Sequence, residues 1–163
     1  SSRYDEEFRK WSKRYFGPGF DWRWFKAQAV VESRLKPTAR GPGGSRGVMQ
    51  LMPSTFNKIR KQNPGFGGID DPRWNIAAGI SYNRQLYEDW QDEVPPSETM
   101  KFTLASYNAG PGRIRSAYNR VRKARKDAVP WTAVEGRAPR ITRRYVRHIH
   151  ELMGADVSAP GPR

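Results

Sequence analysis

One glutamate stands out for chemistry. Glu32 lies in Val30-Val31-Glu32-Ser33-Arg34, and no other acidic residue occurs from Ser33 to Ile69. Three further segments follow it in order: Gly47-Val48-Met49-Gln50-Leu51-Met52-Pro53, Ser106-Tyr107-Asn108-Ala109-Gly110, and Tyr145-Val146. Phe25, Gln28, Ala29, Glu32 and Leu35 fall on one helical face, which places the carboxyl among apolar neighbours. Burial disfavours an ionised carboxylate and raises its pKa. A glutamic acid kept protonated near neutral pH can donate a proton to a leaving oxygen. The structural alternative is a buried glutamate paired with an arginine such as Arg34 or Arg46.

The elements that must position these residues read as helices. Tyr4, Phe8, Trp11 and Tyr15 form one stripe of a first helix, ended by Gly17-Pro18-Gly19. Asp21 is expected to cap a second helix running to about Leu35, before Pro37. A Gly-, Pro- and Arg-rich loop covers 36–47, and Val48–Met52 reads as a short strand. On a strand, Gln50 would point away from Met49 and Leu51. Pro53 suits the first turn of a third helix, and Asp71-Pro72 opens a fourth with Ile76, Ile80, Asn83, Tyr87 and Trp90 aligned. Helices are expected over Thr99–Asn108, over Pro111 to about Ala124, and from Pro139 through Met153. The stretch around Trp131 reads as irregular. The fold class is mostly α, with at most a small β element near residues 44–52.

Composition sets the outer bounds. The chain has 163 residues, enough for one domain with a proper core. Six Trp, seven Tyr and seven Phe argue against a disordered chain. The formal net charge of +14 attracts polyanions without choosing among nucleic acid, anionic membrane and acidic wall polymer. There is no cysteine, so disulfides and zinc–thiolate sites are excluded. No apolar run reaches transmembrane length. Ser1-Ser2-Arg3-Tyr4 does not read as a native start, which leaves room for a signal or membrane anchor outside this chain.

The motifs Glu32-Ser33, Gly47-Val48-Met49-Gln50, Tyr107-Asn108-Ala109-Gly110 and Tyr145-Val146, in that order, resemble the lytic transglycosylase family with a goose-type lysozyme-like domain. The resemblance spans about Asp21 to Met153. It implies a lysozyme-like catalytic domain over 21–154, with 1–20 as a preceding helix and linker and 155–163 as a flexible tail. The implied substrate is the glycan strand of peptidoglycan, cut between N-acetylmuramic acid and N-acetylglucosamine. The implied chemistry is non-hydrolytic: Glu32 acts first as acid, then as base, the substrate acetamido group assists, and a 1,6-anhydro end is formed. Such assistance would explain why no second carboxylate stands close to Glu32 in sequence.

The same resemblance implies that Gln50, Met52, Tyr82, Tyr107, Asn108 and Tyr145 contact substrate, with Asn108 near the acetamido group. Two departures stand out. Relatives often carry a serine nine residues after the glutamate, where this chain has Gly41, with Ser45 further along the same loop. They also often carry an acidic residue four before the last motif tyrosine, where this chain has Ile141. The resemblance further implies a bacterial envelope location in the periplasm, no cofactor, no nucleic acid, and a monomer that can sit within a larger envelope complex. Alternatives are a hydrolytic muramidase on the same fold and a non-enzymatic basic module binding wall or nucleic acid.

Other signals are weak. Gly41–Gly47 lacks the Gly-Lys-Ser/Thr end of a phosphate loop. His148 and His150, two apart on a helix, make a poor metal pair, so no metal is expected. The basic stretch from Arg113 to Lys126 reads equally as a solvated face or a polyanion contact.

Overall fold

The computed structural model describes residues 1–155. Its elements are α1 (Asp5–Phe16), α2 (Arg23–Ser33), α3 (Pro53–Gln62), α4 (Pro72–Trp90), α5 (Thr99–Ala109), α6 (Pro111–Lys123), α7 (Trp131–Val134) and α8 (Arg140–Gly154). Two 3₁₀ turns cover Pro42–Gly44 and Glu135–Arg137. The mostly α class holds. The tail expected over 155–163 lies, from residue 156 onward, outside the described residues. The chain divides into two compact units. One is Ser1–Tyr82 with the segment that begins at Ile149, and the other is Asn83–His148.

In the first unit, α1 carries Asp5, Glu6 and Glu7 in its first turn and Lys13 and Arg14 in its last. That order complements the helix dipole. Gly17, at φ +89°, stops the helix. The rings of Phe20 and Phe25 then stack, and Phe16 packs tilted against both. A buried ion pair fixes α1 to α2: Lys26 Nζ lies 2.7 Å from Asp5 Oδ1. Their approach falls outside hydrogen-bond geometry, so charge attraction carries the contact. Asp21, the expected cap of α2, stands one residue before the observed cap, Trp22. Its Oδ1 accepts the Arg23 N–H at 3.1 Å, and its carboxylate holds the Arg23 guanidinium. This pairing pulls the Asp21 carboxyl below its ordinary value.

The second unit is built around the buried Trp90 and Phe102, with the Tyr118 and Trp131 rings edge-on to Phe102. Trp90 donates its indole N–H to Ser106 Oγ at 2.9 Å, as a buried indole requires. The stretch around Trp131 is helical, contrary to the irregular reading. Pro130 ends the preceding extended backbone, and the buried Glu98 carboxylate accepts the Trp131 N–H at 2.7 Å, which starts α7. Propensity could not show this, because Glu98 lies 33 residues upstream.

The expected strand at Val48–Met52 is a tight turn. Only isolated bridges occur there, Arg40 with Arg46 and Arg46 with Leu51. Arg46 and Leu51 exchange both backbone hydrogen bonds, at 2.9 and 3.1 Å, and close the loop 47–50 between them. Gly47 at φ +84° and Gln50 at φ +50° both take left-handed backbone, which no strand allows. Gln50 therefore does not alternate with Met49 and Leu51 as a strand residue would.

Candidate active site

Glu32 occupies the last turn of α2. The apolar stripe beneath it is buried at Phe25, Gln28 and Ala29, then opens, so that Glu32 and Leu35 are only half-buried. The full burial expected for Glu32 is thus partial, because the core stops where the helix stops. Arg34 and Leu35 follow at φ +55° and +63°. Two consecutive non-glycine residues in this region are unfavourable unless their surroundings impose it. Here the Arg34 N–H closes the helix on Val30 O at 2.9 Å, and the chain turns sharply away.

The residue after the glutamate ties that helix end to the 47–50 turn. Ser33 is buried, and its Oγ donates to Val48 O at 2.7 Å, with Ala29 O also within 3.2 Å. The turn is held from its other side by Asn75 of α4, whose surface is fully buried. Asn75 Oδ1 accepts the Met49 N–H at 2.8 Å, while Nδ2 donates to Arg46 O and Ile69 O, each at 3.0 Å. A side chain at Gly47 would stand 2.3 Å from Asn75 Nδ2, and one at Gly79 would stand 2.7 Å from Met49 Cβ. The two glycines let α4 and the turn approach closely. Asn75 was not among the expected site residues. The available signal was a polar residue beside the apolar stripe of the fourth helix, one turn before a glycine.

Gln50 is half-buried, and its side chain is engaged by its own loop. Ser45 Oγ donates to Oε1 at 2.8 Å, and Nε2 donates to Gly47 O at 2.9 Å and Ala39 O at 3.1 Å. These bonds hold Gln50 in left-handed backbone. Gly41 belongs to the same cluster: a Cβ there would fall 2.3 Å from both Gln50 Oε1 and Ser45 Oγ. The Ser45 hydroxyl thus fills the space that a side chain at position 41 would take. Met52 is 40% exposed beside this loop, as an apolar contact for a ligand requires. Tyr82, which belongs to the first unit, is half-buried.

The second unit carries the other expected residues. Tyr107 and Asn108 sit in the last turn of α5, both half-buried, and Gly110 at φ +93° ends that helix. Asn108 Oδ1 accepts the buried Thr142 hydroxyl at 2.7 Å. That bond fixes the amide plane and leaves Nδ2 as a directed donor. Tyr145 is buried on the same face of α8 as Thr142. Ile141 is 71% exposed, an apolar group facing water.

The chain matches the family model for the transglycosylase SLT domain over residues 8–130. It is 32% identical over 142 residues to a membrane-bound lytic murein transglycosylase F from Shewanella pealeana, covering 87% of this chain and 28% of the relative. Among solved structures, the 70 kDa soluble lytic transglycosylase of Escherichia coli superposes with a TM-score of 0.71 at 26% identity, covering 95% of this chain and 25% of that one. The complex of the 70 kDa soluble lytic transglycosylase with bulgecin A gives 0.74 at 25% identity, covering 98% and 26%. The fold is therefore the helical, lysozyme-like fold of these lytic enzymes. The chain belongs to the transglycosylase SLT domain family, and it spans about a quarter of the length of the relatives it matches.

Proposed function

We propose that the chain is the catalytic module of a peptidoglycan lytic transglycosylase of the bacterial envelope, acting in the periplasm. The observation that carries the proposal is the half-exposed Glu32, fixed at a helix end by Ser33 against a turn that is pinned from both sides. The family membership and the lytic murein transglycosylase relatives support the substrate class. The catalytic module is taken as 21–154, with 1–20 preceding it.

In this reading Glu32 protonates the glycosidic oxygen as the bond to C1 of N-acetylmuramic acid breaks. The acetamido oxygen closes on C1 and carries the positive charge as an oxazolinium. The Glu32 carboxylate then takes the proton of the C6 hydroxyl, O6 displaces the acetamido oxygen from C1, and the 1,6-anhydro end forms. No water enters, and Glu32 ends protonated for the next cycle. A single carboxylate suffices because the substrate supplies the nucleophile. Met52 is proposed as an apolar sugar contact, with Tyr82, Tyr107 and Tyr145 as further sugar contacts. Asn108 is proposed to contact the acetamido group. Gln50 lines the same loop, and a sugar hydrogen bond to its amide requires one of its three internal bonds to yield.

The test is clearance of purified peptidoglycan sacculi by the wild type and by Glu32→Gln. Loss of about a thousandfold or more is expected on removing the only acid–base group. Retained clearance would sink the assignment. Mass spectrometry of the released fragments checks the chemistry, since anhydro ends are one water lighter than reducing ends. Reducing ends alone would mark hydrolysis.

A further inference from the structure

A polar hollow lies entirely within the unit Asn83–His148. It is lined by Thr132 of α7, Glu135 and Gly136 of the 3₁₀ turn, and Arg140, Arg143, Arg144 and Arg147 of α8, and its volume is about 600 Å³. That size is typical of small-ligand sites. The arginines fall at i, i+3, i+4 and i+7, so they share one helix face. Like charges at this spacing destabilise a helix. Several guanidinium groups elsewhere meet carboxylates, as Arg23 meets Asp21, Arg84 meets Glu88 and Arg125 meets Asp127. Among the described residues, none of the four cavity arginines makes an ion pair or a side-chain hydrogen bond, and neither does the Glu135 carboxylate. The cavity therefore holds four positive charges against one negative charge, with its donors uncommitted.

We propose that this cavity binds a small phosphate-bearing anion with two or more negative charges. Guanidinium forks recognise carboxylate and phosphate alike. A planar carboxylate is saturated by one or two forks, however, whereas a tetrahedral phosphate offers oxygens in several directions at once. Four guanidinium groups around one hollow match the second geometry. The hollow also decides against a flat anionic membrane, which would need the charges spread over a convex face. The Thr132 hydroxyl and the Glu135 carboxylate suit hydroxyl groups on the carrier of the phosphate. Arg113 and Arg120 of the basic α6 are exposed, as Arg140, Arg144 and Arg147 are, but do not line this hollow, so they provide a control of equal charge.

The experiment is calorimetric titration of the whole chain with inorganic pyrophosphate. One saturable site is expected. Affinity should fall at least about tenfold in Arg143→Ala/Arg147→Ala, two charge-assisted contacts being lost. It should rise about threefold in Glu135→Gln, where a like charge is removed. It should be unchanged in Arg113→Ala/Arg120→Ala, and citrate should bind about tenfold more weakly. Absence of saturable binding, equal loss from the α6 pair, or equal affinity for citrate would overturn the proposal. So would co-sedimentation with phosphatidylglycerol vesicles that depends on Arg143 and Arg147 and does not yield to pyrophosphate.

Discussion

Replacing Asn75 with Asp isolates what one buried amide does for the turn beside Glu32. The change is nearly isosteric, so packing is preserved. Oδ1 can still accept the Met49 N–H, but the two donor hydrogens that served Arg46 O and Ile69 O are gone. Arg46 O keeps its second bond, from the Leu51 N–H at 3.1 Å, so its loss is partial. Ile69 O loses its side-chain donor outright. At neutral pH a carboxylate oxygen would face two carbonyl oxygens at about 3 Å in a buried site. An unsatisfied buried group costs about 1–3 kcal/mol and charge burial adds to it, so a loss of about 3–5 kcal/mol is expected. The introduced carboxyl escapes by protonation, which restores one donor. Its folded pKa is therefore expected above the unfolded value of about 3.9. With a raised folded pKa, the stability linked to protonation is fully present below the unfolded pKa and is lost as pH rises through the folded one. The deficit of Asn75→Asp against wild type should therefore shrink as pH falls from 7 toward 4. Urea denaturation followed by tryptophan fluorescence at several pH values measures it. A deficit below about 1 kcal/mol at pH 7, or one independent of pH, would refute the reasoning.

Two further outcomes are expected. Asp5→Ala should destabilise by about 3–5 kcal/mol, because it strands the Lys26 ammonium in the core, and Asp5→Leu/Lys26→Met should recover most of that loss in thermal melts. Burial raises the Tyr15 phenol pKa above 10, against the lowering effects of Ser81 and Arg14. Its contribution is present below pH 10 and lost as pH rises through the folded pKa, so Tyr15→Phe should flatten the alkaline part of the stability curve.

Much of the helical frame was legible because each helix carries its own punctuation. Pro53 and Asp71-Pro72 mark the starts of α3 and α4, and Gly17 and Gly110 mark the ends of α1 and α5. Asp71 Oδ1 accepts the Arg73 N–H at 2.9 Å, as a residue opening a helix should. The 47–50 turn was not legible. Val48, Met49 and Leu51 are apolar because they enter the core, and a short buried run looks the same in a strand or a turn. What decides between them is Asn75, 26 residues away from the Met49 N–H that it holds. The helix at Trp131 was hidden for the same reason, since its N-terminal acceptor comes from Glu98. Glu32 itself was conspicuous as a lone acid among apolar residues. Its partial exposure was not, since that depends on where the core ends.

The cluster of Gly41, Ser45 and Gln50 limits how this loop can change over time. A side chain at position 41 would meet the ends of both other side chains, so Ser45 and Gln50 must swing aside and break the hydrogen bond between them before it fits. Losing Ser45 or Gln50 first releases hydrogen bonds that hold the left-handed backbone in place. Each single step between this loop and one with a serine at position 41 thus passes through a weakened intermediate. The three positions are expected to be inherited as a block, and grafting one of them into a relative, or from a relative, should fail where grafting all three succeeds.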